Sequence, residues 1–412
     1  MSKYRYYTVD ELIKKNILEP PLDGNHGEKH PKSSDFIKKG IPFVMANDIE
    51  DGDINYNKCA YISEELSAKL TKGFSKCGDV LLTHKGTIGR TAIVGGEFDK
   101  IVLTPQITYY RIISGFNNMF LKYYFDSKEF QAILSSRAGS GSTRAYLGIT
   151  AQRQLPILCP PIEEQIKISN ILSAFDFKIK SNKQRISALF SILQEIYKNW
   201  FNDFSYPGST DKMENGIPVG WTKSNVFDNV SEVREKNKEN NDYPVLSVVK
   251  EGKFKASDDV FTKQVYSKST TNYKIVRRNQ IGYNPARANI GSIAMLTNYD
   301  VGLVSPIYIV FEMKDTITPT FFYYYMKQPV FLENIKHHAI GTTRQNFPFE
   351  AFKMFEMIVP PMELQKRFEE IAKPFEQKIV KLKEENAVLA EIRDTLLPNL
   401  MSGELPVEVG EQ

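Results

Sequence analysis

The chain has 412 residues, of which 42% are hydrophobic and 25% are charged, with a formal net charge of +4. A chain of this kind can form two to four globular domains, and so small a charge means that any nucleic-acid binding must come from local basic clusters. No run of eighteen apolar residues occurs and the first residues lack an apolar segment of the signal type, so we expect a cytoplasmic protein without membrane insertion. Cys59, Cys77 and Cys159 show no Cys-x-x-Cys spacing, which argues against a disulfide framework and a zinc site.

Residues 1–160 have the pattern of short strands and turns with one or two helices. Residues 41–45 and 79–83 are typical of strands, and turn residues separate them. Residues 10–15 predict a short helix, and residues 120–134 predict a longer one whose aromatic face docks on the sheet. We therefore expect a mixed α/β globule in this part of the chain.

The stretch from Thr83 to Val94, THKGTIGRTAIV, contains two glycines that bracket a tight connection between two β-rich pieces. The side chains that project from this connection are predicted to be those of Lys85, Thr87 and Arg90. A second loop, RAGSGSTR from Arg137 to Arg144, is rich in glycine and hydroxyl groups and has basic ends. Both loops are candidates for contact with an anionic partner.

A heptad pattern runs from Ile162 to Trp200, with apolar residues at steps of three and four. Its seam consists of Leu172, Phe175, Ile179, Asn182, Ile186, Leu189, Leu193, Ile196 and Trp200. Such a stripe must meet a partner surface, and the chain repeats the pattern about two hundred residues later. The second seam includes Phe375, Ile379, Leu382, Asn386, Leu389 and Leu396.

Each seam has one asparagine near its middle, which either forms a buried pair that sets the register or reaches solvent at a loose point of the seam.

The helices are predicted to start after Pro160-Pro161 and Pro360-Pro361, where proline needs no backbone donor. Pro374 predicts a kink, or a short entry helix followed by the long one. Two such helices in one chain predict an intramolecular antiparallel coiled coil.

Landmarks recur at a nearly constant offset of about two hundred residues, so the repeat is a whole globule plus a helix. The matched landmarks are Gly89 with Gly291, Thr104-Pro105 with Ser305-Pro306, Gly141 to Arg144 with Gly341 to Arg344, and Pro160-Pro161 with Pro360-Pro361. The predicted boundaries are 1–160 for the first globule, 161–205 for the first helix, 206–360 for the second globule, and 361–412 for the second helix and tail. The predicted fold class is α+β, with two pseudo-repeated mixed α/β globules joined by two long helices.

Several groups of polar residues in the loops have the chemistry of DNA contacts, because guanidinium, hydroxyl and amide groups bind phosphate oxygens and base edges. In the first globule the candidates are Lys85, Thr87, Arg90, Arg137, Ser140, Ser142, Thr143 and Arg144. In the second they are Thr342, Thr343, Arg344, Gln345 and Asn346, together with a predicted cluster of Arg277, Arg278, Asn284, Arg287 and Asn289. Solvated loops with surface arginines are the alternative interpretation. The recurrence of Gly-Ser/Thr-Thr-Arg before each helix favours a role in function or in docking of the globule on the helix.

No catalytic, cofactor-binding or metal-binding residue is predicted. There is no Gly-x-Gly-x-x-Gly after a strand and no Walker loop. The nearest match to an amino-methyltransferase motif, Tyr283 to Ala286, lacks the second proline and the aromatic residue. His26 and His30 stand four residues apart, but glycine and proline in that segment argue against a helix that would align them as metal ligands.

The chain resembles the specificity subunits of type I restriction-modification systems. The resemblance covers essentially the whole chain and rests on four features: GDVLLTHKGTIGR at residues 78–90, the helix starts PPIEEQ and PPMELQ, IYKNWFNDF at 196–204 before IPVGW at 217–221, and LLPNLMSGEL at 396–405. It implies that the globules are two target recognition domains, each reading half of a split DNA sequence, and that the helices act as a spacer. The second copy departs from the first, with NPARANIGS in place of HKGTIGR, so equal loop chemistry is not implied.

The resemblance further implies a non-catalytic subunit that binds double-stranded DNA and docks methyltransferase subunits, expected to number two, with restriction subunits joining through the complex. AdoMet, ATP and Mg²⁺ are then expected in the partner subunits and not in this chain. Three alternatives remain: a specificity subunit of a related system with a combined restriction-methylation partner, an enzyme with its own site, and a coiled-coil adaptor that does not bind DNA.

Overall fold

The computed structural model describes residues 3–139, 145–209, 212–260, 269–341 and 345–407. The chain divides into two compact units, which we call unit 1 (residues 1–182 and 384–412) and unit 2 (residues 183–383). Two long helices contribute residues to both units. Of the helices in the described ranges, none has the length and apolarity needed to cross a membrane.

Unit 1 consists of short strands, short helices and parts of the two long helices. Its strands are β1 Arg5–Thr8, β2 Leu22–Asp23, β3 Ile41–Val44, β4 Ile49–Glu50, β5 Asp53–Ile54, β6 Ala60–Ile62, β7 Phe74–Ser75, β8 Val80–Lys85, β9 Thr87–Ile93, β10 Ile101–Leu103, β11 Ile107–Tyr110 and β12 Pro156–Cys159. Its helices are α1 Val9–Lys14, α2 Glu64–Ala68, α3 Asn118–Asp126, α4 Lys128–Arg137, α5 Ile149–Gln152 and the first part of α6 Ile162–Tyr197.

The core of unit 1 lies around two four-stranded sheets, with strand orders β6-β3-β10-β7 and β2-β11-β8-β9. Helix α3 buries Phe120, Tyr124 and Phe125 in this core, as its aromatic pattern predicts. The single helix predicted over residues 120–134 is wrong, because Ser127 has extended backbone angles and separates α3 from α4. Its hydroxyl accepts a hydrogen bond from the Phe130 N–H and so starts the second helix.

Unit 2 repeats the plan of unit 1. Its strands are β13 Met213–Glu214, β14 Ile217–Pro218, β15 Thr222–Asn225, β16 Val230–Val233, β17 Leu246–Val249, β18 Lys253–Ala256, β19 Lys274–Arg277, β20 Ile281–Tyr283, β21 Ile293–Met295, β22 Val301–Val304, β23 Ile309–Met313 and β24 Glu356–Val359. Its helices are α7 Ser257–Val260, α8 Pro319–Met326, α9 Pro329–His338 and the first part of α10 Met362–Ser402. The sheet β16-β23-β20-β21 corresponds to β2-β11-β8-β9 in unit 1.

Helix α10 passes through Pro374 without interruption, so the predicted short entry helix is wrong. A proline inside a helix loses one backbone hydrogen bond and destabilises it by about 3 kcal/mol. Ala372 is fully buried beside it, and Phe375 packs against the same core of unit 2. This burial holds the helix together across the proline.

The two long helices pair in antiparallel fashion, as predicted. In unit 1 the cross-helix contacts include Asp176 with Arg393 at 2.5 Å and Asn182 with Asn386 at 3.0 Å. The residue number rises along α6 while it falls along α10, which defines the antiparallel direction. In unit 2 the ring of Phe368 on α10 lies 5.8 Å from that of Tyr197 on α6. The predicted seam residues of both helices are all buried or half-buried.

Candidate nucleic-acid interface

In unit 1 the two loops selected separately from the sequence lie side by side. The β8–β9 hairpin turns at Gly86, whose φ of 76° lies in the left-handed region that favours glycine. The Gly86 N–H donates to the Ala145 carbonyl at 3.0 Å, and the Leu147 N–H donates to the His84 carbonyl at 3.0 Å. The end of the loop that follows α4 therefore forms backbone hydrogen bonds with the tip of the hairpin.

This pairing brings a cation, a hydroxyl group and an aromatic ring to one exposed edge. The Lys85 Nζ lies 5.8 Å from the centroid of the Tyr146 ring, which is a cation–π distance. Tyr146 is 50% exposed, and Thr87 is also exposed at the start of β9. An ammonium group and a hydroxyl group can bind phosphate oxygens, and an exposed ring can pack against a sugar or a base.

Two arginines of unit 1 already hold loops of the protein. Arg90 Nη1 donates to the carbonyls of Ala46 at 3.3 Å and Ile49 at 3.0 Å. Arg137 Nη1 donates to the Gln154 carbonyl at 2.7 Å. Both residues are exposed. These bonds occupy part of each guanidinium, so each arginine stabilises the loops and has fewer N–H groups left for a ligand.

Unit 2 has the same loop arrangement at the end of β20. The Phe347 N–H donates to the Pro285 carbonyl at 3.0 Å, as Leu147 does to His84 in unit 1. Ile340 and Asn346 exchange two backbone hydrogen bonds, at 2.8 and 2.7 Å, which close the loop between them. Equivalent backbone bonds therefore join the strand end to the returning loop in both units.

Amide side chains strengthen the contact between these loops of unit 2. Asn289 Nδ2 donates to Gln345 Oε1 at 2.7 Å, so two predicted site residues bind each other. Asn284 Oδ1 accepts from the Ala286 N–H at 3.0 Å and shapes the turn. Arg287 and Asn346 are exposed, and the guanidinium of Arg287 has no hydrogen-bond or ion-pair partner in the described parts of the chain. Arg287 is therefore available to an external ligand.

The predicted cluster of five residues in unit 2 is divided by strand β20. Arg277 and Arg278 lie before this strand, whereas Asn284 follows it, and an extended strand separates its two ends by about 3.3 Å per residue. Arg277 pairs with Glu235 and Arg278 with Asp300, each at 2.8 Å. The prediction of a single cluster was wrong, because closeness in sequence does not bring the two ends of a strand together.

Seven of the predicted contact residues lie outside the described residues: Ser140, Ser142, Thr143, Arg144, Thr342, Thr343 and Arg344. Their role in DNA contact stays a prediction. The chain on either side of them is described, and it is this flanking chain that pairs with the hairpin of unit 1 and the strand end of unit 2.

Tyr146 and His84 were missed by the sequence analysis. Tyr146 lies two residues after the loop RAGSGSTR, and an aromatic residue near basic and hydroxyl residues is the pattern that could have identified it. His84 is fully buried, and its ring centroid lies 5.8 Å from that of Tyr146. Burial lowers the pKa of His84, while the nearby Asp23 carboxylate opposes this change.

The histidines considered as metal ligands have other partners. His26 Nε2 lies 2.8 Å from Asp23 Oδ2, and the ring of His30 packs against Phe43 with centroids 5.4 Å apart. Among the described residues, no group of three or more His, Cys, Asp or Glu side chains is placed to hold a metal ion.

The chain thus contains two repeats of one α+β unit, each with polar loops joined to a strand end in the same way. Residues 21–190 and 226–391 match the family model described as the type I restriction modification DNA specificity domain. The chain therefore belongs to this family and carries two copies of its domain.

Known relatives agree with this assignment. The specificity subunit of the type I restriction enzyme MjaIX from Methanocaldococcus jannaschii is 27% identical over 405 residues, which cover 92% of this chain and 89% of that protein. The HindI specificity subunit from Haemophilus influenzae is 24% identical over 452 residues, covering 87% of this chain and 94% of that protein. The crystal structure of the S subunit from M. genitalium has the same fold, with a TM-score of 0.53, 15% identity and coverage of 97% and 96%. The chain is a DNA specificity subunit of a type I restriction-modification system.

Proposed function

We propose that this subunit recognises a bipartite double-stranded DNA target, with unit 1 reading one half and unit 2 the other. The observation that carries this proposal is the repeated backbone pairing, His84 with Leu147 and Pro285 with Phe347. The same frame supports a different set of side chains in each unit. Two copies of one frame with unlike surfaces suit a target whose two halves have unlike sequences.

The chemistry of the two surfaces supports different contacts. In unit 1, Lys85 and Thr87 offer an ammonium and a hydroxyl group, which suit phosphate oxygens, and Tyr146 adds an aromatic face. In unit 2, Arg287 can bind guanine with two hydrogen bonds and Asn346 can do the same with adenine. We therefore expect direct hydrogen bonds to base edges to contribute more to recognition by unit 2 than to recognition by unit 1.

We further propose that methyltransferase subunits, two in number, dock on the long helices and that restriction subunits join through them. In unit 1, helix α6 exposes Ile162, Ile166 and Phe177, and the exposed fraction of Phe177 is 76%. At 100° per residue these three side chains share the side of the helix that faces away from the seam. Exposed apolar side chains on one side of a helix suit contact with a partner protein.

Catalysis is proposed to lie outside this chain. The chain would select the DNA sequence, while partner subunits would bind AdoMet for adenine methylation and ATP with Mg²⁺ for cleavage. The complex would act in the cytoplasm on double-stranded DNA. Membership of the chain in the DNA specificity family supports this division of roles.

Methylation mapping of genomic DNA tests the proposal. Cells that carry this gene with its partner genes should show a split methylated-adenine motif that disappears when the gene is deleted. Lys85→Ala with Tyr146→Ala should relax one half of the motif, because the Tyr146 ring no longer packs against a base, while the loss of Lys85 weakens binding to all sequences alike. Arg287→Ala with Asn346→Ala should relax the other half. If both double variants alter the same half, or neither alters any base, the assignment of one half-site to each unit is wrong.

A further inference from the structure

A buried hydrogen-bond network lies directly beneath the loops of unit 1. The Leu147 carbonyl accepts two hydrogen bonds, from His84 Nδ1 at 3.0 Å and from Gln152 Nε2 at 2.8 Å. Gln152 Oε1 in turn accepts from the Tyr110 hydroxyl at 2.8 Å. His84, Gln152 and Tyr110 are fully buried, so water does not compete for these bonds.

The network lies next to the exposed side chains of the loops of unit 1. Leu147 follows Tyr146 in the chain, and His84 precedes Lys85, so each end of the contact is one residue from an exposed side chain. The His84–Leu147 pair is joined twice, by the Leu147 N–H to the His84 carbonyl and by the His84 imidazole to the Leu147 carbonyl. Loss of the imidazole would leave only one of these two connections.

The imidazole of His84 is suited to donate in this position. Burial lowers its pKa, and this effect is opposed by Asp23 and by the hydrogen bond to the Leu147 carbonyl. In the neutral ring, Nδ1 carries the proton and donates to Leu147, which leaves Nε2 as an acceptor. Nε2 is buried without a hydrogen-bond partner in the described chain. The unpaired Nε2 costs free energy that an apolar side chain at position 84 would avoid. The benefit of a histidine here is therefore the hydrogen bond that its Nδ1–H donates.

Unit 2 has no side-chain donor at the position equivalent to His84. Pro285 accepts the backbone bond from Phe347 that His84 accepts from Leu147, and proline has no side-chain donor. The contact between Asn289 and Gln345 ties the loops of unit 2 instead, and both side chains are half-buried. The two units therefore hold their loops by different means.

We propose that His84 is a positioning residue for DNA recognition by unit 1. Its Nδ1–H holds the Leu147 carbonyl and thereby adds to the backbone bonds that set the separation and orientation of Lys85 and Tyr146. A preformed surface binds more tightly and discriminates better than one that must be ordered on binding. This inference rests on the proposal above that unit 1 reads one half of the target.

The test measures binding of the purified full chain, together with its methyltransferase partners, to duplexes that carry the mapped motif. Single-base changes are placed in one half at a time. His84→Leu should reduce discrimination in the half read by unit 1 by about tenfold, the effect of losing one hydrogen bond worth about 1.4 kcal/mol. Discrimination in the other half should stay within about twofold of the wild-type value.

His84→Asn is the conservative variant, because the amide nitrogen of asparagine is as many bonds from Cα as Nδ1 of histidine and can donate to the same carbonyl. It should restore discrimination to within about twofold of the wild type. Amide hydrogen exchange of residues 145–148 should rise in His84→Leu and not in His84→Asn. His337→Leu, on the exposed face of α9 in unit 2, is the matched control and should change neither measurement.

The outcomes separate this inference from the proposed function. If Lys85→Ala and Tyr146→Ala weaken one half-site while His84→Leu leaves its discrimination unchanged, the positioning role is wrong and the recognition role stands. If neither Lys85→Ala nor Tyr146→Ala affects binding, the interface itself is misplaced. If His84→Leu lowers the thermal stability and His84→Asn fails to restore discrimination although it restores stability, His84 is a core residue only.

Discussion

Asn182 donates a hydrogen bond to Asn386 across the two long helices, with Nδ2 and Oδ1 3.0 Å apart. Asn182 is fully buried, and its Nδ2 also lies 3.0 Å from the Glu385 carboxylate. A polar pair at one point of an apolar seam penalises every other alignment of the helices, because a shift would bury these groups without partners. The pair thus sets the register of the helices within unit 1, and the loose-seam alternative does not hold.

The first prediction concerns this pair. Asn182→Leu removes the donor and should lower the free energy of unfolding by about 1–2 kcal/mol, because Asn386 and Glu385 lose a partner at a half-buried site. The double variant Asn182→Leu with Asn386→Leu should recover most of this loss, since an apolar pair suits the seam. Urea unfolding of the three proteins measures both effects. A double variant less stable than the single one would contradict a role in register alone.

The second prediction concerns two glutamines that join each long helix to its unit in the same way. Gln165 Oε1 accepts from the Asn117 N–H at 2.9 Å, and Nε2 donates to the Pro160 carbonyl at 2.8 Å. Gln365 makes the equivalent bonds to Thr318 at 2.8 Å and to the Pro360 carbonyl at 2.9 Å. Both glutamines are buried, so each fixes a helix start against the N-terminus of a neighbouring helix.

Gln165→Leu and Gln365→Leu should each lower the free energy of unfolding by about 1–3 kcal/mol, because a buried N–H and a buried carbonyl lose their partner. Gln194→Leu is a matched control, since that half-buried side chain donates a long hydrogen bond of 3.4 Å to the Lys327 carbonyl. Chemical unfolding followed by circular dichroism measures the change. If all three variants are equally stable, the two glutamines add nothing to stability, and the repeated helix starts depend only on their prolines.

Local features of the fold could be predicted because their causes lie within a few residues. Pro161 before Glu163 and Glu164 indicates a helix start, and α6 begins at Ile162. The seam could be predicted for the same reason, since its period of three and four residues is visible in the chain. One seam position on α10 holds Arg393, an apparent break in the pattern that the structure explains by its ion pair with Asp176, 217 residues away.

The site could be predicted only in part, because its contacts join distant residues. The network under the loops of unit 1 links His84 with Leu147, 63 residues apart, and Tyr110 with Gln152, 42 residues apart. No local pattern marks such pairs. The same limit produced the false cluster around Arg277 and Asn284, where residues near each other in sequence lie at opposite ends of a strand.

The third prediction concerns the salt dependence of DNA binding. Lys85→Ala should weaken binding and make the slope of log K against log[salt] less steep by about 0.9, because each phosphate contact releases one condensed counterion. Lys128→Ala is the control, since this exposed lysine begins α4 at the end opposite the loop. Titrations from about 50 to 200 mM salt measure the slope. An unchanged slope in Lys85→Ala would place this lysine away from the phosphates.

The fourth prediction concerns the effect of pH on unit 1 through His84. Because burial lowers the pKa of His84 in the folded chain, the unfolded chain takes up a proton first as the pH falls below about 6.5. The wild-type protein should therefore lose stability through this group between about pH 6.5 and the lowered pKa, by at most about 1.4 kcal/mol per pH unit. Above this range the group is neutral in both states and has no effect.

His84→Asn removes the titrating group and keeps the hydrogen-bond donor, so the difference in unfolding free energy between this variant and the wild type isolates the contribution of His84. The charged and titratable groups that act on the ring, Asp23, His26 and Lys85, are present in both proteins. Urea unfolding at intervals from pH 8 to pH 5 should show the variant gaining stability relative to the wild type as the pH falls. If the difference in unfolding free energy stays constant over this range, His84 titrates alike in the folded and unfolded chain. Its neutral form would then have no special role in holding Leu147.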